Sequence, residues 1–406
     1  SGVEFTARHA ITGAEFATVS SEGLDYKAIL DYARNVGGPA LRKMTFQERG
    51  RMLKALALHL TSIKSQFYDV SWATGATKVD SWIDIEGGIG NLFANASLRR
   101  QFPDLTYYVD GDLVQLSKEG TFIGHHIMVP RRGVAVHINA FNFPIWGMLE
   151  KIAVNLMAGV PAVVKPSEYT SYLTEAMVKA IIDSGILPEG VLQLVSGKGL
   201  GILDHVDFQD IVTFTGSSAT GQMLRGLPHL NQRSVPFNLE ADSLNAAVLG
   251  PDVTPEDPEF TLFVREMANE MTVKVGQKCT AIRRAMVPEY LLSAVQEAVI
   301  ERLQKTVIGD PQAEGVRMGA LATHDQIGRI EAEMNKLMVE QELVFNPGLD
   351  IVGATDAGAF YTPKLFVNSD PFANTKVHEV EPFGPVSTLM PYKTIDEAVQ
   401  LTAMGR

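Results

Sequence analysis

GVAVHINAFNFPIWGMLEKIAVNLMAGVPAVVKPS, residues 133–167, is one strand–helix–strand unit, and the rest of the fold follows from it. In GVAVHIN (133–139) the β-branched residues fall at alternate positions, which predicts a strand. PIWGMLEKIAVNLMAG (144–159) opens on a proline at a first helical position and closes on a glycine, so both helix boundaries are marked. PAVVKPS (161–167) is the next strand. Toward the C-terminus come a helix in SYLTEAMVKAIIDSG (171–185), a strand in VLQLVSG (191–197) and a strand in DIVTFTGS (210–217). A short helix over 218–226 and a strand in NAAVLG (245–250) follow. Near-continuous apolar strands alternating with amphipathic helices predict an α/β fold, its parallel sheet covered on both faces. Ligands in such sheets bind beyond the carboxyl ends of the strands. That rule selects Asn139–Pro144, Lys165–Glu168, Ser196–Gly201 and Thr215–Gly221.

Upstream, residues 41–70 read as helical. Thr45 and Glu48 form a capping box, and Leu53, Leu56, Leu60 and Ile63 recur at helical spacing. A shorter helix is expected over 24–36. IEGGIG (85–90) lies in helical surroundings, so its glycines read as packing. Downstream, a second unit begins near 246, with no proline- or serine-rich linker before it. Asp257-Pro258 starts a helix with Phe260, Val264, Met267 and Met271 on one face, expected to run down to Cys279. Another helix spans about 288–306, and KLFVNS (364–369) is a strand.

Composition excludes several classes. The formal charge of −12 works against general nucleic-acid binding. The pairs Arg99-Arg100, Arg131-Arg132 and Arg283-Arg284 read as solvated surface, with a local site for an anionic ligand as the alternative. One cysteine cannot form an internal disulfide. The opening SGVEFTARHA lacks a basic start and apolar core, and no apolar run approaches the length of a membrane span, so a cytoplasmic protein with no membrane partner is expected. Histidines show no i, i+4 pair and no HExxH, so no metal site is expected; a GxSxG elbow is also missing.

The chemistry-bearing stretches begin with the cysteine. Gly276-Gln277-Lys278 places Cys279 on a loop among cations, which favour thiolate. INAFNFPIWG (138–147) puts Asn142 between a strand and a helix, where a neutral amide can donate to an anionic oxygen. Turn chemistry is the alternative. FTGSSATG (214–221) sets Gly216, Ser217 and Gly221 around a strand-to-helix turn suited to phosphate, although it is not GxGxxG. In SGKGLG (196–201), Gly197, Gly199 and Gly201 permit close approach of a ring or a backbone. Glu240 lies in the largely apolar FNLEADS (237–243), where burial would raise its pKa and make it a base. Exposure or a helix cap is the other reading.

Together these stretches resemble the aldehyde dehydrogenase superfamily. The motifs occur in family order: FNFP (141–144), KPSE (165–168), FTGS (214–217), LEAD (239–242), GQKC (276–279) and EPFGPV (381–386). The longer phrases DSWIDIEGGIG, EADSLN and EMTVKVGQKCTAIRR look most like the branch serving phenylacetate degradation. The benzoate-pathway branch, which acts on 3,4-dehydroadipyl-CoA semialdehyde, comes second. Ala241 and Asp242 stand where the family has two glycines, a departure that those branches share. The family also continues well past EPFGPV, so its C-terminal part is expected to be missing here.

The resemblance implies two Rossmann-like parallel-sheet domains, 1–245 for the dinucleotide and 246–406 for the catalytic cysteine. A strand-rich oligomerisation projection would include 105–130, and a homodimer or larger assembly is implied. By the same resemblance Cys279 attacks the aldehyde, Asn142 and the Cys279 backbone N–H hold the oxyanion, and Glu240 activates water. Lys165 and Glu168 would meet the adenosine ribose, Gly216 and Ser217 would lie by the pyrophosphate, and Glu381 would hold the nicotinamide ribose with Phe383 packing beside it; Ser167 and Gly199 are further cofactor-binding candidates. NADP is the expected cofactor, with NAD the alternative, and the expected substrate is a CoA-linked aldehyde, with the basic pairs as candidates for its CoA. A CoA-acylating dehydrogenase, an acyl-phosphate reductase and a binding protein on the same fold are the competing readings.

Overall fold

A computed structural model describes residues 4–405. Contacts divide the chain into two units. The first takes the start of the chain, Ala17–Tyr68 and Trp82–Ala241; the second takes Ala7–Phe16, Asp69–Ser81 and the chain from Asp242 onward.

In the first unit, α1 (Phe46–Ile63) begins at the predicted capping box. Thr45 Oγ1 accepts from the Glu48 N–H at 3.2 Å, and the Glu48 carboxylate accepts from the Thr45 N–H at 2.8 Å. The stretch 41–70 is therefore not one helix: Met44 and Thr45 are extended, and helix resumes at Phe46. Helix α2 (Gly87–Ser97) precedes a hairpin of β1 (Tyr108–Gln115) and β2 (Ile123–Met128). Next come β3 (Ala135–Ile138), α3 (Pro144–Ala158), β4 (Ala162–Lys165), α4 (Ser171–Asp183), β5 (Leu192–Leu194), β6 (Ile211–Gly216), α5 (Ser218–Arg225) and β7 (Phe237–Ala241). Both predicted ends of α3 hold: Pro144 opens it, and Gly159 closes it at φ +83°.

The five strands β3–β7 form one parallel sheet in the order β5-β4-β3-β6-β7. All four residues of β3 are buried, as a strand covered on both faces requires. Val134, Val136, Ile138, Val212 and Phe214 share a core with Leu203 and Leu224. On α3, Ile145, Met148, Leu149, Ile152 and Leu156 are fully buried. Each contributes about 1.5–3 kcal/mol, which outweighs the few tenths that β-branched residues such as Val154 cost a helix. The chain leaves β3 in one direction to β4 and returns to β6 on its other side, so the topological switch falls between β3 and β6. A dinucleotide crevice belongs beyond their carboxyl ends.

The second unit holds β8 (Ala246–Val248), α6 (Pro258–Thr272), β9 (Arg284–Pro288), α7 (Leu292–Gln304), α8 (Asp325–Leu337), β10 (Glu342–Phe345), β11 (Lys364–Val367), β12 (Val386–Tyr392) and α9 (Ile395–Met404). Its sheet runs β8-β9-β12-β11-β10, parallel except for the edge strand β10. Alternation along β9 serves two cores. Ala285 and Val287 join Met267, Met271, Val295 and Val299, while Met286 joins Ala398 and Leu401 of α9. Two early segments are stitched in by backbone bonds: the Ala10 N–H donates to Ala73 O at 2.8 Å, and the Ala359 N–H to Ala10 O at 2.7 Å. Among the described residues no helix is long and apolar enough to cross a membrane.

Candidate active site

The first unit contributes Asn142, Lys165, Ser167, Glu168, Gly199, Gly216, Ser217 and Glu240. Asn142, 8% exposed, lies on the loop from β3 to α3. That loop is tethered at both ends. The Asn139 N–H donates to Lys165 O at 2.9 Å, and Thr170 Oγ1 to the Phe141 carbonyl at 3.1 Å. Phe143, at the N-cap of α3, supplies no side-chain cap. Asp84 does so from a distance: its Oδ1 accepts from the N–H groups of Ile145 (3.1 Å) and Trp146 (2.7 Å). A carboxylate there also suits the positive helix end. Gly87 completes the buttress, because a Cβ on it would lie 2.2 Å from the Trp146 ring. Of the glycines in 85–90, Gly87 and Gly88 pack against Trp146, whereas Gly90 is exposed with open space around it, so the packing reading holds for the first two alone.

At the end of β4, Lys165 is buried and its Nζ donates to Glu168 at 3.0 Å. Gly199 holds φ +47°, and a Cβ would meet Val195 at 2.6 Å and Lys165 at 3.4 Å. Ser217 caps α5 by accepting from the Thr220 N–H at 3.4 Å. Gly216 and Gly221 let α5 approach the sheet, since a Cβ would strike Phe214 at 2.6 Å or Leu239 at 2.2 Å. Glu240 takes the exposed one of its two readings. It is exposed near the end of β7, and its carboxylate accepts from Thr215 Oγ1 at 3.2 Å. Alternation along the strand buries its neighbours more than Glu240 itself, so the apolar context did not report this side chain's surroundings.

Cys279, Glu381 and Phe383 belong to the second unit. Helix α6 stops at Thr272 and does not reach Cys279. Lys274, Val275 and Gly276 then adopt left-handed φ of +52°, +55° and +65° in succession. Such a run is costly for the β-branched Val275, and the surroundings hold it. Asp80 accepts from the Lys274 N–H at 2.7 Å. Gln277 Nε2 donates to Lys274 O at 3.0 Å, and Gln277 Oε1 accepts from the Ala322 N–H at 3.1 Å. Beyond this turn Cys279 is exposed on a loop, as expected. Its carbonyl accepts from Ser243 Oγ at 2.8 Å and Asn245 Nδ2 at 2.6 Å. Fixing that carbonyl fixes the peptide on which the thiol stands. Both donors come from EADSLN, which the sequence marked only as a resemblance.

Arg283 and Arg284 overturn the solvated-surface reading, for each is 3% exposed. Arg283 donates to the carbonyls of Gly384 (2.6 Å) and Gly276 (2.9 Å), and Arg284 to those of Leu244 (2.9 Å) and Leu401 (2.8 Å). A guanidinium can be buried when carbonyls fill its fork. Glu381 accepts from the Ser243 N–H at 2.9 Å, while its Oε1 is buried without a hydrogen-bond donor, 3.5 Å from Arg283 Nε. Burial pushes the Glu381 carboxyl up, with Arg283 and the Ser243 N–H opposing. An unfilled buried acceptor fits a ligand hydroxyl.

The sequence profile of the aldehyde dehydrogenase family matches residues 3–403. The chain belongs to the aldehyde dehydrogenase family. This aldehyde dehydrogenase is 41% identical over 399 residues to 3,4-dehydroadipyl-CoA semialdehyde dehydrogenase of Aromatoleum evansii, covering 97% of this chain and 78% of that one. Two solved structures share its fold. A mutant of aldehyde dehydrogenase C from Pseudomonas syringae, complexed with NAD+ and octanal, matches with TM-score 0.84 and 22% identity, over 100% of this chain and 80% of that one. Betaine aldehyde dehydrogenase from Staphylococcus aureus in complex with NAD+ matches with TM-score 0.84 and 23% identity, over 99% and 77%.

Proposed function

We propose that this aldehyde dehydrogenase oxidises a CoA-linked semialdehyde to the acid through a covalent adduct on Cys279. The observation that carries the reading is the exposed Cys279 on a loop whose carbonyl is clamped by Ser243 and Asn245. A thiol held outward on a fixed peptide suits attack on a carbonyl carbon better than packing. In this mechanism the Cys279 thiolate adds to the aldehyde, and the oxyanion is steadied by the Asn142 amide and the Cys279 N–H. One such donor is worth about 3 kcal/mol in the transition state. Bound NAD(P) supplies the hydride acceptor, and loss of hydride converts the thiohemiacetal to a thioester. Glu240, exposed and so within reach of solvent, takes a proton from the water that releases the acid. Lys165, Ser167, Glu168, Gly199, Gly216 and Ser217 would hold the adenosine half, Glu381 and Phe383 the nicotinamide ribose.

The CoA-linked substrate rests on the 41% identity to the dehydroadipyl-CoA semialdehyde dehydrogenase. NADP remains the proposed preference. The Lys165–Glu168 pair opposes it, because a 2′-phosphate must replace Glu168 as the partner of Lys165. Steady-state kinetics with both dinucleotides decide the point, and a clear preference for NAD refutes it. A CoA-acylating reaction needs no water-activating carboxylate. Glu240→Gln is therefore expected to retain adduct formation and accumulate an acyl-enzyme on Cys279, seen by intact-mass spectrometry. Sustained turnover without adduct would remove Glu240 from the mechanism.

The hairpin β1–β2 is the proposed self-association surface. Leu113, Val114, Phe122, Ile123, Ile127 and Met128 are each more than half exposed on it, an apolar surface that marks interaction sites. Phe122→Asp is expected to convert the assembly to monomers in sedimentation velocity. A wild-type monomer at micromolar concentration would refute the proposal.

A further inference from the structure

We propose that Arg283 is a positioning residue which, through one guanidinium, holds Glu381 ready for a dinucleotide hydroxyl and sets the geometry of the cysteine loop. The first half rests on the reading that Glu381 binds NAD(P); the second does not. Nη1 donates to Gly384 O at 2.6 Å, and Nη2 to Gly276 O at 2.9 Å and Lys278 O at 3.4 Å. Nε lies 3.5 Å from Glu381 Oε1, an ion pair in which neither atom completes a hydrogen bond. The guanidinium also sits over Phe383, 5.6 Å from the ring centre. One side chain thus ties 276–278, which lead to the thiol, to 381–384.

The division of labour at Glu381 is specific. Ser243 occupies one carboxylate oxygen, and Oε1 is attracted by Arg283 but left without a donor. A hydroxyl arriving there completes the set. Two charged groups act on Glu381, Asp242 pushing its pKa up and Arg283 pulling it down, against a larger upward push from burial. Arg283 itself is influenced by Glu381, Glu270 and Cys279, and Lys278 is held by Glu270 at 2.6 Å. Removing the cation moves Glu381 further up. The protonated carboxyl then persists to higher pH, and dinucleotide affinity is lost over that added range as pH falls.

The test uses the full chain with Arg283→Met and Arg283→Lys. Binding of NADP and of NAD is followed by calorimetry from mildly acidic to mildly alkaline pH. Alkylation of Cys279 by iodoacetamide is timed without dinucleotide. In R283M the pH midpoint of binding is expected to move up, so that affinity measured at the wild-type midpoint falls about tenfold, as expected for a lost charged partner, and recovers as pH rises. Its alkylation rate should change by about threefold or more, because thiol reactivity follows its local field and access. R283K keeps the charge but not the fork, so it should show a near-wild-type pH midpoint with an altered alkylation rate. A folded R283M with wild-type midpoint and wild-type alkylation overturns the proposal. Should R283M fail to fold, an unchanged alkylation rate in R283K overturns it. If the wild-type chain binds neither dinucleotide, the assignment of Glu381 fails, and the alkylation rates alone judge the loop.

Discussion

Replacing Gly276 by alanine should damage the cysteine loop by an amount that separates into two parts. Gly276 sits at φ +65°, and a left-handed backbone costs an alanine roughly 1–2 kcal/mol. An added Cβ would lie 2.3 Å from Gly384 O and 2.7 Å from Pro385 Cα, both well inside ordinary contact with backbone that cannot rotate away. Forced overpacking of that kind adds about 1–3 kcal/mol. Relief from upstream is blocked, since Lys274 and Val275 are already left-handed. The expected total is about 2–5 kcal/mol, together with an altered alkylation rate at Cys279, three residues on. Gly315→Ala is the control. Gly315 has φ +80° with nothing within 4 Å of its added Cβ, so only the backbone part of about 1–2 kcal/mol applies. Urea titrations of both variants read the difference. Equal losses of stability, with Cys279 alkylated at the wild-type rate in both, would refute the claim that close approach of the 276 and 384 backbones shapes the thiol loop.

Two further perturbations probe the first unit. Asp84→Ala strips the acceptor from two N–H groups at the start of α3. It should cost about 2–4 kcal/mol in urea titration, given charge-assisted bonds left unmade in a buried site. Asp84→Asn, which retains an oxygen, should cost clearly less, and equal losses would deny Asp84 its capping role. Buried His137 has its pKa pushed down to about 3, by burial first and Lys151 second. As pH falls below 6.5 the unfolded chain gains a proton that the folded one refuses, so stability is lost at up to about 1.4 kcal/mol per pH unit until about pH 3. Between pH 7 and 5 this amounts to roughly 2 kcal/mol. His137→Gln should remove that share of the pH dependence, and identical slopes would place the imidazole in a solvated site.

Much was legible locally. The run from 133 to 167 carries its own punctuation, because proline and glycine restrict φ where a helix starts and stops and because burial on both faces makes a strand continuously apolar. The capping box at Thr45 belongs to the same class. All of these depend on neighbours within a few residues, so periodicity reports them. Tertiary structure alone decided the rest. Arg283-Arg284 read as surface because two charges need water or carbonyls, and the carbonyls arrive from 276 and 384, and from 244 and 401. Burial and exposure of Glu240 were even among its apolar neighbours, and strand alternation turns it outward. Ser243 and Asn245 grip the Cys279 carbonyl from more than thirty residues away, and Asp84 reaches Ile145 from sixty-one. Segments 7–16 and 69–81 fold with a unit whose bulk begins at 242. A bond across such distances leaves no period in the chain, since its two ends are brought together only when the sheet and its helices have packed.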